Sequence, residues 1–170
     1  MEFARWKNRL LARVFTAFPS LAEQWGKRLE LHGGVIPWAV PSKPLREAVL
    51  TLVTTGGVHL TSQTPFNMGD SNGDPTFREV PVDTTREHLV ITHDYYDHRD
   101  AEKDLNLVFP VERLNDMVDA GVLGRLHQMA YSFMGHIDGP HLRTLQEKSA
   151  PEVARKLAKA KVDYALLVPA

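Results

Sequence analysis

Apolar and polar positions follow two distinct rhythms along this chain. Near the start, Phe3, Trp6, Leu10 and Val14 recur at spacings of three and four, which predicts helix over residues 3–31. Within that stretch Ser20 and Glu23 read as a capping box ahead of Trp25 and Leu29. Gly33-Gly34 ends the helical pattern, and Pro37, Pro41 and Pro44 make 33–46 an extended connector. The rhythm then changes. Ala48–Thr54, Leu89–Thr92, Met129–Met134 and Tyr164–Val168 are short apolar runs without clean alternation, as expected of strands buried on both faces of a parallel sheet. Helix patterns lie between them at 111–120 (Leu114, Met117 and Val118, stopped by Gly121), 140–148 and 151–161. Alternating strands and helices predict an α/β fold, doubly wound, with a mainly parallel sheet and helices on both faces. Residues 1–41 form a helical extension with its linker, and 42–170 the α/β domain. The insertion Val58–Glu87 breaks the alternation. It is rich in Thr, Asn, Asp, Gly and Pro, and long loops of that kind often cover active sites.

Composition narrows the class. A chain of 170 residues with 43% hydrophobic and 24% charged content suits one globular domain with a real core. A net charge of -1 gives no nucleic-acid footprint. No run approaches the ~18 apolar residues of a membrane span, and the N-terminus lacks a secretory core. The basic, amphipathic start suits a membrane surface, or packing against its own domain or a partner subunit. Cysteine is absent, which excludes disulfides and thiolate metal sites within these residues and is compatible with a cytoplasmic location.

Polar residues gather at the strand ends. The first strand runs into Thr54-Thr55-Gly56-Gly57-Val58-His59, the second into Thr92-His93-Asp94, and the third into Ser132-Phe133-Met134-Gly135-His136. In a parallel sheet these ends share one rim, which is where open α/β folds bind ligands. Gly56-Gly57 reads either as a cradle of free N–H groups for a carboxylate or phosphate, or as a tight turn. His93 to Asp100 is the densest polar cluster. Its spacing approaches the His-x-His-x-Asp-His signature of metallo-β-lactamase-like hydrolases, with Tyr95 in place of the second histidine, so a catalytic zinc loses a donor. His93 is instead read as a proton donor or a carboxylate-binding cation, oriented by Asp97 or Asp94. His59 and His136 are candidates through their shared rim with His93; His32, His88, His127 and His141 default to surface or packing roles. Asp70 to Pro75 looks like a calcium loop but lacks the downstream glutamate, so it reads as a polar turn.

Five segments carry a family resemblance. Val53 to His59, Gly73 to Arg78, Thr92 to Asp97, Asp104 to Pro110 and Ser132 to Gly135 together resemble the selenoprotein B family, the glycine, sarcosine, betaine and D-proline reductases. The resemblance runs from about Ser42 to Ala170. It implies reductive C–N cleavage of a small amino acid or amine derivative, with a thioredoxin-like or other dithiol donor. The resemblance places a selenocysteine or cysteine pair just beyond the strand Tyr164–Val168, on a turn that opens a helix. The expectation is that Ala170 precedes a recoded codon, the alternative being a truncated homologue. A partner reductase subunit, which supplies a pyruvoyl group in some such enzymes, or a homo-oligomer is also implied. On this reading His93, His59 and Asp97 are catalytic, and Thr55, Gly56, Gly57, Asp94, Gly135 and His136 bind substrate; no metal is expected. The competing readings are a metal-dependent hydrolase using His93, Asp97 and His98, and a non-catalytic binding or assembly module.

Overall fold

The computed structural model describes residues 2–26 and 39–170. Helices α1 (Glu2–Ala17) and α2 (Pro19–Gly26) come first. Pro19 is the first residue of α2, where its missing N–H is no loss. Ser20 therefore sits inside the first turn and cannot act as the cap that the Ser20–Glu23 spacing predicts. Leu29, His32, the Gly33-Gly34 stop and Pro37 lie outside the described residues. The apolar stripe of α1 does not face the domain: Trp6 and Leu10 are exposed, while Ala12 is buried.

The body alternates strand and helix. Its elements are β1 (Val49–Thr54), β2 (Val58–Leu60), β3 (Arg78–Pro81), β4 (Leu89–Ile91), α3 (Arg99–Lys103), α4 (Val111–Asp119), β5 (Arg125–Leu126), β6 (Met129–Ser132), α5 (Pro140–Thr144), α6 (Ala150–Lys159) and β7 (Tyr164–Val168). β1 is the centre of the sheet. β7 lies parallel along one side of it, with Leu50 opposite Tyr164 and Thr54 opposite Val168. β5 and then β6 lie parallel along the other side. β3 closes that flank antiparallel to β6, from Arg78 opposite Ser132 to Pro81 opposite Met129. Proline fits there because an edge strand has no outer ladder to donate to.

Alternation along β1 decides what covers each face. Leu50 and Leu52 join Val111 and Leu114 of α4 and Tyr164, Leu166 and Val168 of β7 in the main core. Val53 points the other way, into a second cluster with Tyr131, Phe133, and Val153 and Leu157 of α6. Helices thus cover both faces of a mainly parallel sheet, and the fold is α/β. The cover over β7 is one-sided: Leu167 is 69% exposed.

Two expectations are corrected. Leu89–Ile91 is a strand but does not enter the main sheet; β4 pairs antiparallel with β2 in a separate ribbon, Val58 opposite Ile91. The helices predicted at 140–148 and 151–161 form one continuous run, α5 and α6 joined by a π-helical turn at Leu145–Ser149. Pro151 has no N–H for the helical ladder, and the wider turn accommodates its ring.

The insertion is ordered by two side chains. Asp74 is buried and accepts from the Asn67 and Thr76 amides, both at 2.9 Å, and from the Thr76 hydroxyl. Burial works to raise its pKa, but these bonds and Arg78 hold it below the usual carboxylate value. Arg78 donates to the Thr64 and Pro65 carbonyls and stacks 4.4 Å over the Phe66 ring. Asp70 caps the Asn72 amide and pairs with His141, so the calcium-like segment is a polar turn. Asp74→Ala is expected to cost about 2 kcal/mol by leaving buried amides unpaired, read as a lower urea midpoint.

Candidate functional site

The end of β1 meets the end of β7 at Thr55. Its amide donates to the Val168 carbonyl at 3.0 Å, and its hydroxyl accepts from the Ala170 amide at 3.0 Å. Gly135 completes the corner. A Cβ added there would lie 3.0 Å from the Ala170 carbonyl oxygen, 3.2 Å from His93 Nε2 and 3.4 Å from the Thr55 carbonyl oxygen. Thr55, His93, Gly135 and Ala170 thus converge, as the rim argument requires. β4 reaches this rim although it is not part of the main sheet, because the Thr92 amide donates to the Gly57 carbonyl at 2.9 Å.

His93 is buried and held on both ring nitrogens by backbone amides. Tyr95 N–H donates to Nδ1 at 3.1 Å, and Gly135 N–H to Nε2 at 2.9 Å. A neutral imidazole has one acceptor nitrogen, so even that form is in tension with one amide. A second ring proton would set N–H against N–H on both sides. Burial lowers its pKa to about 4, helped by His98 and His136 and opposed by Asp94. The expected cation is therefore replaced by a neutral ring that shapes the rim. Tyr96 lies edge-on to it, 4.7 Å between centroids, and donates its hydroxyl to the Gly56 carbonyl.

Neither expected orienting carboxylate hydrogen-bonds to His93. Asp97 is clamped by the Arg99 guanidinium, which holds its pKa at about 2. Asp94 is buried, with Arg9 of α1 at 2.9 Å. The competition was lost to arginine, whose fork matches a carboxylate better than an imidazole edge does. His59 is structural: Nδ1 donates to the Leu60 carbonyl at 2.7 Å and Nε2 accepts from the Thr92 hydroxyl at 2.8 Å. Burial lowers its pKa as well. With both nitrogens engaged inside the ribbon, it has no proton to offer at the rim. Gly56 and Gly57 are a turn and not a cradle. Their amides go to Thr54 Oγ1 and the Phe133 carbonyl, both at 3.0 Å, and a Cβ on Gly57 would stand 2.6 Å from the Thr92 carbonyl. His136 stacks on Tyr95 at 3.9 Å and donates to the Ser71 carbonyl, which ties the insertion to the rim.

Among the described residues no three histidine or carboxylate side chains converge as metal donors. Of the set required by the hydrolase reading, His93 has both ring nitrogens on amides and Asp97 is paired with Arg99. Sequence reasoning missed Arg9 and Arg99, which hold the two aspartates. The only signal for Arg9 was its place on the polar side of the α1 pattern.

Comparison with known proteins decides the family. The model of the glycine/sarcosine/betaine reductase selenoprotein B family matches residues 31–170. This chain belongs to that family. Among its relatives, the D-proline reductase subunit gamma of Acetoanaerobium sticklandii is 31% identical over 145 residues, covering 84% of this chain and 58% of its own length. The glycine reductase complex component B subunit gamma of Symbiobacterium thermophilum is 30% identical over 144 residues, covering 78% of this chain and 30% of its own. That of Peptoclostridium acidaminophilum is 29% identical over 129 residues, 74% and 28% respectively. The chain therefore spans between about a quarter and three fifths of the length of these relatives. No solved structure matches it. No helix among the described residues is long and apolar enough to cross a membrane.

Proposed function

We propose that this chain acts as a subunit of an amino-acid reductase that cleaves a C–N bond in glycine, an N-methylated glycine or D-proline. The convergence of Thr55, His93 and Gly135 at the end of β7 carries this reading, together with membership of the selenoprotein B family. A dithiol donor supplies two electrons and two protons: C–N becomes C–H and N–H, and the dithiol becomes a disulfide. We assign the selenol or thiol that the reaction needs to the carboxyl end of β7. What supports the assignment is the corner where the Ala170 backbone meets Thr55, Gly135 and His93.

A neutral His93 offers a nucleophile at this corner no positive charge. Gly135, without a side chain, lets Ala170, His93 and Thr55 pack closely around its Cα.

The test is dithiol-coupled turnover by the full natural protein with its partner subunits. Glycine, sarcosine, betaine and D-proline are supplied separately with a dithiol, and released amine (for D-proline, the ring-opened product) and disulfide are counted. One product per disulfide is the expected result. Cleavage that consumes no dithiol points to a hydrolase, and the absence of turnover on all four substrates sinks the proposal.

A further inference from the structure

A second cavity shares a wall with the rim through His93. It has a volume of about 360 Å³ and opens between α1 and residues 91–102. That size lies at the small end of the range for metabolite pockets. α1 contributes Arg9 and Arg13, the turn after β4 contributes Asp94 and Asp97, and α3 contributes Arg99 and Glu102. Arg9 is engaged by Asp94, and Arg99 by Asp97. Two groups remain. Arg13 makes no hydrogen bond or ion pair with any described residue; its only influence is at longer range, on Asp97. Glu102 lies 2.9 Å from His98 Nδ1, but that buried nitrogen is out of line for a hydrogen bond.

The charge pattern selects the ligand. A phosphate-like dianion would face three carboxylates, and a simple amine would face three guanidiniums. A molecule carrying one charge of each sign satisfies both sides. An arginine fork also fits a carboxylate through two parallel bonds. We propose that this cavity binds a small zwitterionic amino or methylamino acid, with its carboxylate on Arg13 and its cationic nitrogen toward Glu102. The choice of ligand rests on the reductase reading. It moves carboxylate recognition away from Gly56-Gly57, whose amides are engaged, and onto the N-terminal helix. The Arg9–Asp94 pair then has a purpose: it holds α1 where Arg13 faces the cavity.

Isothermal titration of the full natural protein with glycine, sarcosine, betaine and D-proline tests the site, with acetate and methylammonium as single-charge probes. At least one zwitterion is expected to bind, with both single-charge probes at least tenfold weaker. Arg13→Gln is expected to weaken it at least tenfold, Arg13→Lys less, and Glu102→Gln severalfold; Arg13 and Glu102 are exposed, so circular dichroism should be unchanged. Equal affinity in Arg13→Gln and wild type, or no zwitterion bound by wild type, overturns the site. Kinetics separate it from the reductase reading. An unchanged KM in Arg13→Gln, in an assembly that does turn over, removes the cavity and leaves the reductase. Arg13-dependent binding without dithiol-coupled cleavage does the reverse.

Discussion

Gly73→Ala is expected to destabilise the domain by about 4 kcal/mol, the largest effect of a methyl group added at any described glycine. Gly73 has φ +84, a conformation that costs an L-residue about 1 kcal/mol or more. The rest comes from contact. A Cβ at this position would lie 1.7 Å from the His136 carbonyl oxygen and 2.8 Å from its carbon. Those are backbone atoms, and Gly73 is bridged to Ile137. Relief therefore requires the insertion to part from the segment carrying Gly135 and His136. Gly121→Ala is the control: φ is similar at +69, but nothing lies within 4 Å, and about 1 kcal/mol is expected. Urea midpoints of the two variants decide the matter. Equal shifts would mean that backbone conformation alone sets the cost and that the close approach is wrong.

Acidification from pH 7 to pH 4 is expected to remove about 3 kcal/mol of stability through His93 alone. The sign follows from where protons bind. Unfolded, this histidine titrates near 6.5; folded, near 4. Between those values the unfolded chain holds more protons, so stability is complete above pH 6.5 and falls as the pH drops toward 4. His59, also lowered by burial, acts in the same direction. The site-specific check is the His93 ring resonance by NMR, which should keep its neutral chemical shift down to pH 5. A midpoint near 6.5 would overturn both the prediction and the neutral rim. His93→Gln should flatten the pH dependence of the urea midpoint relative to wild type.

The central strands were legible in the sequence because burial on both faces leaves a continuous apolar run. Tyr164–Val168 has the bounds its pattern predicts, and Val49–Thr54 differs by one residue. Pairing was less visible. Leu89–Ile91 reads as a strand, but nothing local says that its partner is Val58–Leu60 and not the main sheet. β3 was hidden in a loop-like composition, although Val80 and Val82 alternate around Pro81. At the site, strand direction brings Thr55 and Gly135 to one rim, whereas His93 reaches it through the Thr92–Gly57 backbone bond of the separate ribbon. The sequence could not assign their states. His93 and His59 look alike as letters, and only the amides, carbonyls and hydroxyls around them determine that both are neutral. Asp94 and Asp97 went to arginines, and one of these, Arg9, lies 85 positions away from its partner.

β7 leaves one further consequence for anyone handling the protein. Leu167 faces water, and among the described residues no strand borders β7 on the side away from β1. Peptide groups without a strand partner beside an outward leucine are a template for another extended chain. The protein should therefore self-associate along that flank at high concentration.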